Sequence, residues 1–329
     1  MRLSRPQLPL LSIVAPAYDE ADALPLFHEQ LTRVLDTLRE DFSYEVVYVD
    51  DGSTDETPAA LARFAREDHR VRYLRLSRNF GHQAALTAGL VHARGEIIIS
   101  MDTDGQHPPA VIRSLLARWR EGYPVVVTLR EDHHSLGWFK KLSSRLFYWA
   151  MRHCSGMDIR PAAADFRLLT RAPLDALLKL PERHRFLRGM VHWLGFPTAE
   201  VTFDAPPRFA GKSKFTLVRM VRLARDGLLS FSRVPLHAAI ILAFGLIVAS
   251  FIGCSSIWLA CRPAESWGWL LLAGIVGTHA VAGGLWALLF AVCEYLARIH
   301  EQVLNRPLYV IERTSDDDAV VAGKPRVAA

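Results

Sequence analysis

The sequence predicts an α/β fold: a mainly parallel sheet flanked by helices, followed by a transmembrane helical hairpin. Three observations predict it. Short apolar runs alternate with segments of helical periodicity over roughly the first 130 residues. Acidic clusters stand where several of those runs stop. Two apolar stretches near the C-terminus each exceed the roughly 20 residues a bilayer crossing needs.

Taken in order, LPLLSIVA (8–15) is a short apolar run closed by Pro16 and reads as a buried strand. Residues 21–40 carry apolar positions at helical spacing. YEVVYVD (44–50) is a second strand, stopped by Asp50-Asp51-Gly52-Ser53. A helix follows from Thr57 to Glu67, for which Ser53 or Thr54 is the expected cap, because a side-chain oxygen there can accept a free backbone N–H. VRYLRLS (71–77) is a third strand, 82–93 a helix, GEIIISMD (95–102) a fourth strand, 109–121 a helix and PVVVTLR (124–130) a fifth strand. Strands alternating with helices mean a mainly parallel sheet, whose ligands sit beyond the carboxyl ends of the strands. Asp50-Asp51 and Asp102-Thr103-Asp104 both fall at such ends and are expected to face one cleft.

From Trp138 to His153 aromatic and apolar residues recur beside Lys140, Lys141, Arg145 and Arg152, the pattern of an amphipathic helix in a membrane interface. The spans are 235–261 and 267–293, joined by about five residues, with Trp258, Trp267 and Trp269 at the hairpin tip. Arg233 precedes them and Arg298 and Arg306 follow, while the tip has Arg262 offset by Glu265. The excess of positive charge on one side predicts an inner-membrane protein whose soluble part and both termini are cytoplasmic. EYLARIHEQVLNRP (294–307) reads as a helix leaving the membrane, LYVIE (308–312) as a short strand, and the last 15 residues as a disordered tail. The expected organisation is thus 1–234, soluble; 235–293, two spans; and 294–329, a C-terminal helix, strand and tail.

Charge is concentrated in 1–234 and nearly absent from 235–293. The net charge of +5 is mild, and Arg219, Arg222, Arg225 and Arg233 just before the spans suit anionic headgroups. No nucleic-acid motif accompanies them. The four cysteines show no C-x-x-C pair, so a disulfide framework is not expected.

Three elements carry chemistry. PAYDE (16–20) is a turn after a strand. In VDDGSTDET (49–57) a single carboxylate would suffice for a helix cap, so paired Asp50 and Asp51 favour contact with a base or ribose. In MDTDGQHPP (101–109) the chain turns at a strand end, where Asp102 and Asp104 can both reach one ion, and Gln106 can add an amide oxygen. Hard oxygen ligands without Cys or His suit Mg2+ or Mn2+, which typically bridge substrate phosphates.

The order and spacing of these elements resemble the family 2 glycosyltransferases. DFRLLTR (165–171), GWFKKLSSRLFYW (137–149), RGMVHWLGF (188–196), RFAGKSKF (208–215) and ARDGLLSFSRVPL (224–236) resemble its polyprenyl-phosphate subgroup, which includes bacterial undecaprenyl-phosphate glucosyltransferases and dolichol-phosphate mannose synthases. The likeness covers about residues 10–312. It implies a nucleotide-binding sheet of the GT-A type, with Pro16, Tyr18, Glu20 and Asp51 at the nucleoside and Asp102, Asp104 and Gln106 as the metal element. Arg130, Asp165, Arg167, Arg208, Lys212, Ser213 and Lys214 match the region that handles phosphates and acceptor. Asp19 replaces the family's usual Asn, and Thr103 and Gly105 stand where Ala and Leu are frequent.

The resemblance implies inverting transfer of a sugar from a nucleoside diphosphate sugar, UDP-glucose foremost, to a polyprenyl phosphate. A metal at Asp102 and Asp104 would offset leaving-group charge, and Asp165 with Arg167 would serve the reaction directly. The phosphate acceptor is largely dianionic at neutral pH, so a strong general base is not required. Mannose from GDP-mannose is the alternative donor chemistry. A processive polysaccharide synthase would carry Q-x-x-R-W, which is absent here. A non-catalytic nucleotide-binding scaffold would not retain every acidic position. Spare apolar helix surface and an unpaired C-terminal strand lead to the expectation of a homo-oligomer.

Overall fold

The computed structural model describes residues 8–131, 163–206, 234–260 and 267–321. The chain divides into two compact units. One is built on a sheet and includes the residues from Pro307 onward; the other is built on two long apolar helices.

The sheet unit begins with β1 (Leu10–Ala17), α1 (Leu24–Asp36), β2 (Ser43–Asp50), α2 (Thr57–Glu67), β3 (Val71–Leu76), α3 (His82–His92) and β4 (Ile97–Ser100). A 3-10 turn at Pro109–Val111 leads into α4 (Ile112–Arg120), then β5 (Val125–Glu131). β6 (Ala163–Thr170), α5 (Arg171–Lys179), α6 (Leu187–Trp193) and β7 (Thr198–Asp204) follow. The described strands form one sheet in the order β7-β5-β6-β4-β1-β2-β3-β8, where β8 is Ile311–Thr314. β2, β1 and β4 run parallel with β3 as the first four strands alternate with helices. The regular alternation breaks at β6, which enters antiparallel between β4 and β5.

The pleat sends successive side chains to opposite faces, and both faces are covered, as parallel strands require. Val46 and Tyr48 join Leu24, Phe27, Leu31, Leu61 and Leu115 on one side. Val47 and Val49 pack with Leu74, Leu76, Ala85 and Ala88 on the other, beneath α3. The second face is tight: a Cβ on Gly89 would lie 2.3 Å from Val14 Cγ1 and 3.0 Å from Val49 Cγ2.

Two local expectations are corrected. Ser53 and Thr54 do not cap α2. Asp55 Oδ1 accepts the Thr57 N–H at 2.9 Å, which frees Ser53 Oγ to accept the Asp19 N–H at 2.9 Å. The tail expected to be disordered starts with a helix, α9 (Ser315–Val321), because Asp317 accepts from Thr314 and Asp318 pairs with Arg313 and Tyr73.

The second unit contains α7 (Val234–Ala260) and α8 (Trp267–Val303). Ser250 Oγ lies 3.2 Å from the Gly277 carbonyl, and Gly284 sits against Ala243, so the helices run antiparallel. Only 6% of the window Leu236–Gly253 and 11% of Leu271–Val303 is buried. Apolar helices with so little of their surface covered are not core helices of a water-soluble protein; both are long and apolar enough to cross a membrane. At 1.5 Å per residue α8 is about 55 Å long, more than a bilayer core, so the expected span and the helix after it are one element. The strand expected at the C-terminus pairs with β3 of the same chain, leaving only its outer edge open. The expected interfacial helix at 138–153 and the hairpin tip at 261–266 lie outside the described residues.

Two expected outcomes follow from this packing. Gly89→Ala should destabilise the fold by about 1–3 kcal/mol through overpacking, read as a lowered melting temperature in detergent, whereas Gly245→Ala, in open space, should not. His28 stacks on Phe64 at 4.0 Å and its Nδ1 is 2.9 Å from the Tyr48 hydroxyl. Burial lowers its pKa below the ordinary 6.5, so the unfolded chain takes up this proton first. The contribution is complete above 6.5 and is lost as pH falls below it. The melting temperature of His28→Phe should therefore fall less steeply than wild type between pH 7 and pH 5; equal slopes would refute this.

Candidate functional site

Three loops meet at the carboxyl ends of β1, β2 and β4, and each turns through a left-handed residue. The first turns at Asp19 (φ 49°), the second at Gly52 (φ 68°) and the third at Gly105 (φ 85°). Asp and Asn tolerate this conformation better than other side chains. That accounts for Asp19 where the family usually has Asn. The first two loops are zipped together. Asp19 Oδ1 accepts the Thr54 N–H at 2.9 Å, Thr57 Oγ1 accepts the Glu20 N–H at 2.9 Å, and Asp55 Oδ2 accepts the Ala21 N–H at 3.1 Å. The third is tied to the first where Thr103 Oγ1 donates to the Pro16 carbonyl at 3.2 Å. Tyr18 projects beside Asp19, whose charge raises the phenol's pKa.

Asp50 and Asp51 are buried and already engaged. Asp50 Oδ1 accepts the Ser53 N–H at 2.9 Å, and Asp51 accepts the Phe80 and Gly81 N–H groups at 2.8 and 2.9 Å. Burial pushes both carboxyls up, against those hydrogen bonds. These hydrogen bonds tie the second loop to the start of α3, beside the base or ribose contact expected from the sequence.

Beyond β4, Gln106 donates its N–H to Asp104 Oδ1 at 3.0 Å, an Asx turn that shapes the acidic element. Gln106 Oε1 lies 3.4 Å from Arg130, which gives that amide a partner in the chain itself. The Asp102 N–H donates to His107 Nδ1 at 2.8 Å, so the proton of the neutral ring sits on Nε2. His107 stacks on Phe166, and burial lowers its pKa. Asp102 Oδ1 is buried without a hydrogen-bond partner; His82 Nε2 lies 3.5 Å from it.

His82 Nε2 also lies 3.6 Å from Asp165 Oδ2. Enclosure disfavours its charge, but Asp102 and Asp165 outweigh that and raise the imidazole to about 9. Asp165 and Arg167 lie two residues apart on one face of β6 and form a buried ion pair. Arg188, from α6, reaches the same carboxylate at 3.0 Å, and Gln83 donates to it at 3.2 Å. Burial opposes the charge, yet Arg188, His82 and Arg167 hold the Asp165 carboxyl well below the usual range.

A model of the family described as glycosyl transferase family 2 matches residues 12–178, which include all three loops and the Asp165–Arg167 pair. The chain belongs to that family. This glycosyltransferase is 36% identical over 307 residues to an uncharacterized glycosyltransferase of Synechocystis, covering 92% of this chain and 94% of that one. It is 32% identical over 312 residues to the SfII prophage-derived bactoprenol glucosyl transferase of Shigella flexneri, covering 92% and 98%. It is 33% identical over 317 residues to a prophage bactoprenol glucosyl transferase homolog of Escherichia coli, covering 92% and 98%.

Of the residues singled out in the sequence, the structure brings Asp102 and Asp165 to one imidazole and links Gln106 to Arg130. Pro16, Tyr18 and Glu20 line the zipped loops. Arg208, Lys212, Ser213 and Lys214 lie outside the described residues. Sequence reading missed His82, His107 and Arg188. His107 had a local signal, following the acidic element by three residues, and Arg188 opens a quoted motif; His82 is a lone residue whose partners are distant in sequence.

Removing Asp165 should leave the buried Arg167 guanidinium beside Arg188 without its counter-charge. Asp165→Ala is expected to cost about 3–5 kcal/mol in a thermal melt, and Asp165→Glu less. A melting temperature equal to wild type for Asp165→Ala would contradict the role given to this pair.

Proposed function

We propose that this glycosyltransferase moves glucose from a nucleoside diphosphate donor, UDP-glucose, to a polyprenyl phosphate at the cytoplasmic face of the membrane, with inversion at the anomeric carbon. The observation that carries the reading is the Asp102–His82–Asp165 line, in which an unpartnered buried carboxylate oxygen faces an imidazolium and a carboxylate held by two arginines. Likeness to bactoprenol glucosyl transferases over almost their whole length supports the acceptor and the sugar. The two apolar helices suit an acceptor that does not leave the bilayer.

The donor set fits a hard divalent cation. Asp102, whose Oδ1 is buried without a hydrogen bond, and Asp104 would hold Mg2+ or Mn2+ with the donor's phosphates completing the shell. When bound, such an ion neutralises charge on the departing nucleoside diphosphate. Gln106 serves that element by connecting it to Arg130. His82 and Arg188 place further positive charge where the diphosphate departs.

Pro16, Tyr18 and Glu20 receive the nucleoside, while Asp50 and Asp51 hold the loops that shape its seat. Asp165, held as a carboxylate by its cations, is a weak base. Its role is to orient Arg167 and Arg188 toward the acceptor phosphate, which brings its own negative charge and needs no strong base. The acceptor oxygen attacks the anomeric carbon from the face opposite the leaving group. The basic residues Arg208, Lys212 and Lys214, with Ser213, complete the acceptor's hold.

Purified protein given undecaprenyl phosphate and a panel of UDP- and GDP-sugars should form glucosyl phospholipid, identified by mass, from UDP-glucose. Chelation should abolish product formation and Mn2+ or Mg2+ restore it. Asp104→Ala should lose at least about a hundredfold in kcat while staying folded and membrane-bound. Near-normal turnover by that variant would refute the metal assignment, and product from GDP-mannose alone would overturn the donor.

A further inference from the structure

The segment after α8 returns to the sheet and reaches the donor loops. β8 pairs antiparallel with β3 through Leu74 opposite Thr314, Arg75 opposite Arg313 and Leu76 opposite Ile311. Glu312 is thus an extra residue in a β-bulge, a device that re-aims a side chain. The pairing continues past β3, where the Ser77 N–H donates to the Val310 carbonyl at 2.9 Å. Behind it, Tyr309 and Ile311 pack with Phe80 against the core under α3.

These contacts converge on the two acids of the second loop. Phe80 and Gly81 give their N–H groups to Asp51. Gly52 is so close to this strand extension that a Cβ there would lie 2.3 Å from the Arg78 carbonyl carbon. Arg75 sits beside Asp50 in the β2–β3 register. Its Nε is 3.5 Å from Asp50 Oδ2 and 3.3 Å from Glu312 Oε2. Asp50 is fully buried, and its Oδ2 has no hydrogen-bond partner. Arg75 is therefore the cation that compensates a buried carboxylate oxygen, and its long side chain is 36% exposed. A partner on its solvent side is what keeps it over Asp50 rather than extended into water.

We propose that Glu312, in the strand that follows the apolar helices, is a positioning residue for the nucleotide end of the donor site, acting through Arg75 on Asp50. Loss of the Glu312 carboxylate frees Arg75, leaves the Asp50 oxygen buried without a cation, and loosens the turn from Asp50 to Ser53 that shapes the nucleoside seat. The inference rests on the reading of the donor as a nucleoside diphosphate sugar. It assigns the C-terminal segment to the donor site in addition to the sheet.

The test uses full-length protein in detergent, with UDP as the binding probe in calorimetry and UDP-glucose and undecaprenyl phosphate in kinetics. Glu312→Gln should weaken UDP binding and raise the donor KM by about three- to fivefold, the scale of a partly exposed ion pair. The kcat at saturating donor and the lipid KM should stay at wild-type values, with a small fall in melting temperature from the weakened cover over buried Asp50. Arg75→Gln should weaken UDP binding at least as much and lower the melting temperature further, because it removes the cation beside buried Asp50 outright, and Glu312→Gln should add nothing to the UDP effect in that background, because the two act in one chain. Glu312→Asp should recover part of the loss. Wild-type UDP affinity in Glu312→Gln, or additive effects in the double variant, would overturn the relay. A lowered melting temperature with unchanged UDP affinity would make Glu312 merely structural and also overturn it. If wild-type protein binds neither UDP nor GDP and forms no glycolipid, the donor reading itself fails, a result that the variants alone cannot produce.

Discussion

A carboxylate enclosed by protein requires cations, and Asp165 gathers them from three elements. Arg167 comes from its own strand, Arg188 from α6 and His82 from the first residue of α3. Such a cluster is weak evidence of net stability, since taking its charges out of water costs about what their attraction returns. Its effect is geometric. β6 is bonded to β4, whose end leads into Asp102, and His82 spans the gap between Asp102 and Asp165. One side chain thereby ties together α3, α6 and the end of β4.

The same helix start joins this cluster to the donor loops. Gly81, at φ 98°, gives its N–H to Asp51, and the next residue is His82. A single peptide unit therefore connects the acids beyond β2 with those beyond β4 and on β6. The loops themselves are held by side chain to backbone bonds rather than by packing. Each turns through a residue that accepts a left-handed backbone, Asp19, Gly52 or Gly105. Charge can be concentrated there because almost every carboxylate already has donors before a ligand arrives.

How much of this was legible in the sequence depends on the range of the interaction. The strands and helices up to β5 follow from periodicity, a local property, and Thr57–Glu67 was bounded without error because Pro58 and the acidic turn before it mark its start. The antiparallel insertion of β6 was not legible, because nothing local in DFRLLTR states which strands it will separate. The acidic pairs were visible as candidates, yet their work in the structure is divided. Asp102 and Asp50 each keep one oxygen without a hydrogen bond, while the other oxygen of Asp50 and both oxygens of Asp51 accept from loop N–H groups. His82 was invisible because its importance lies in partners 20 and 83 residues away. The α9 helix was masked by composition: three successive Asp suggest disorder, but at a helix start they meet free N–H groups and the positive end of the dipole.

The return of the chain to the sheet constrains the apolar helices by topology. β7 precedes them in sequence and β8 follows them, and both strands belong to the same sheet. A chain that crosses a bilayer between two strands of one sheet must cross an even number of times, or the strands would be on opposite sides. The two antiparallel apolar helices satisfy that count. The same topology also gives the second unit a place in the fold: an insertion within the sheet domain, bounded on one side by β7 and on the other by the strand that presents Glu312 to Arg75. An anchor attached at a free terminus could be lost without harm to the sheet. An anchor inserted before its edge strand cannot be cut there without separating that strand from the chain.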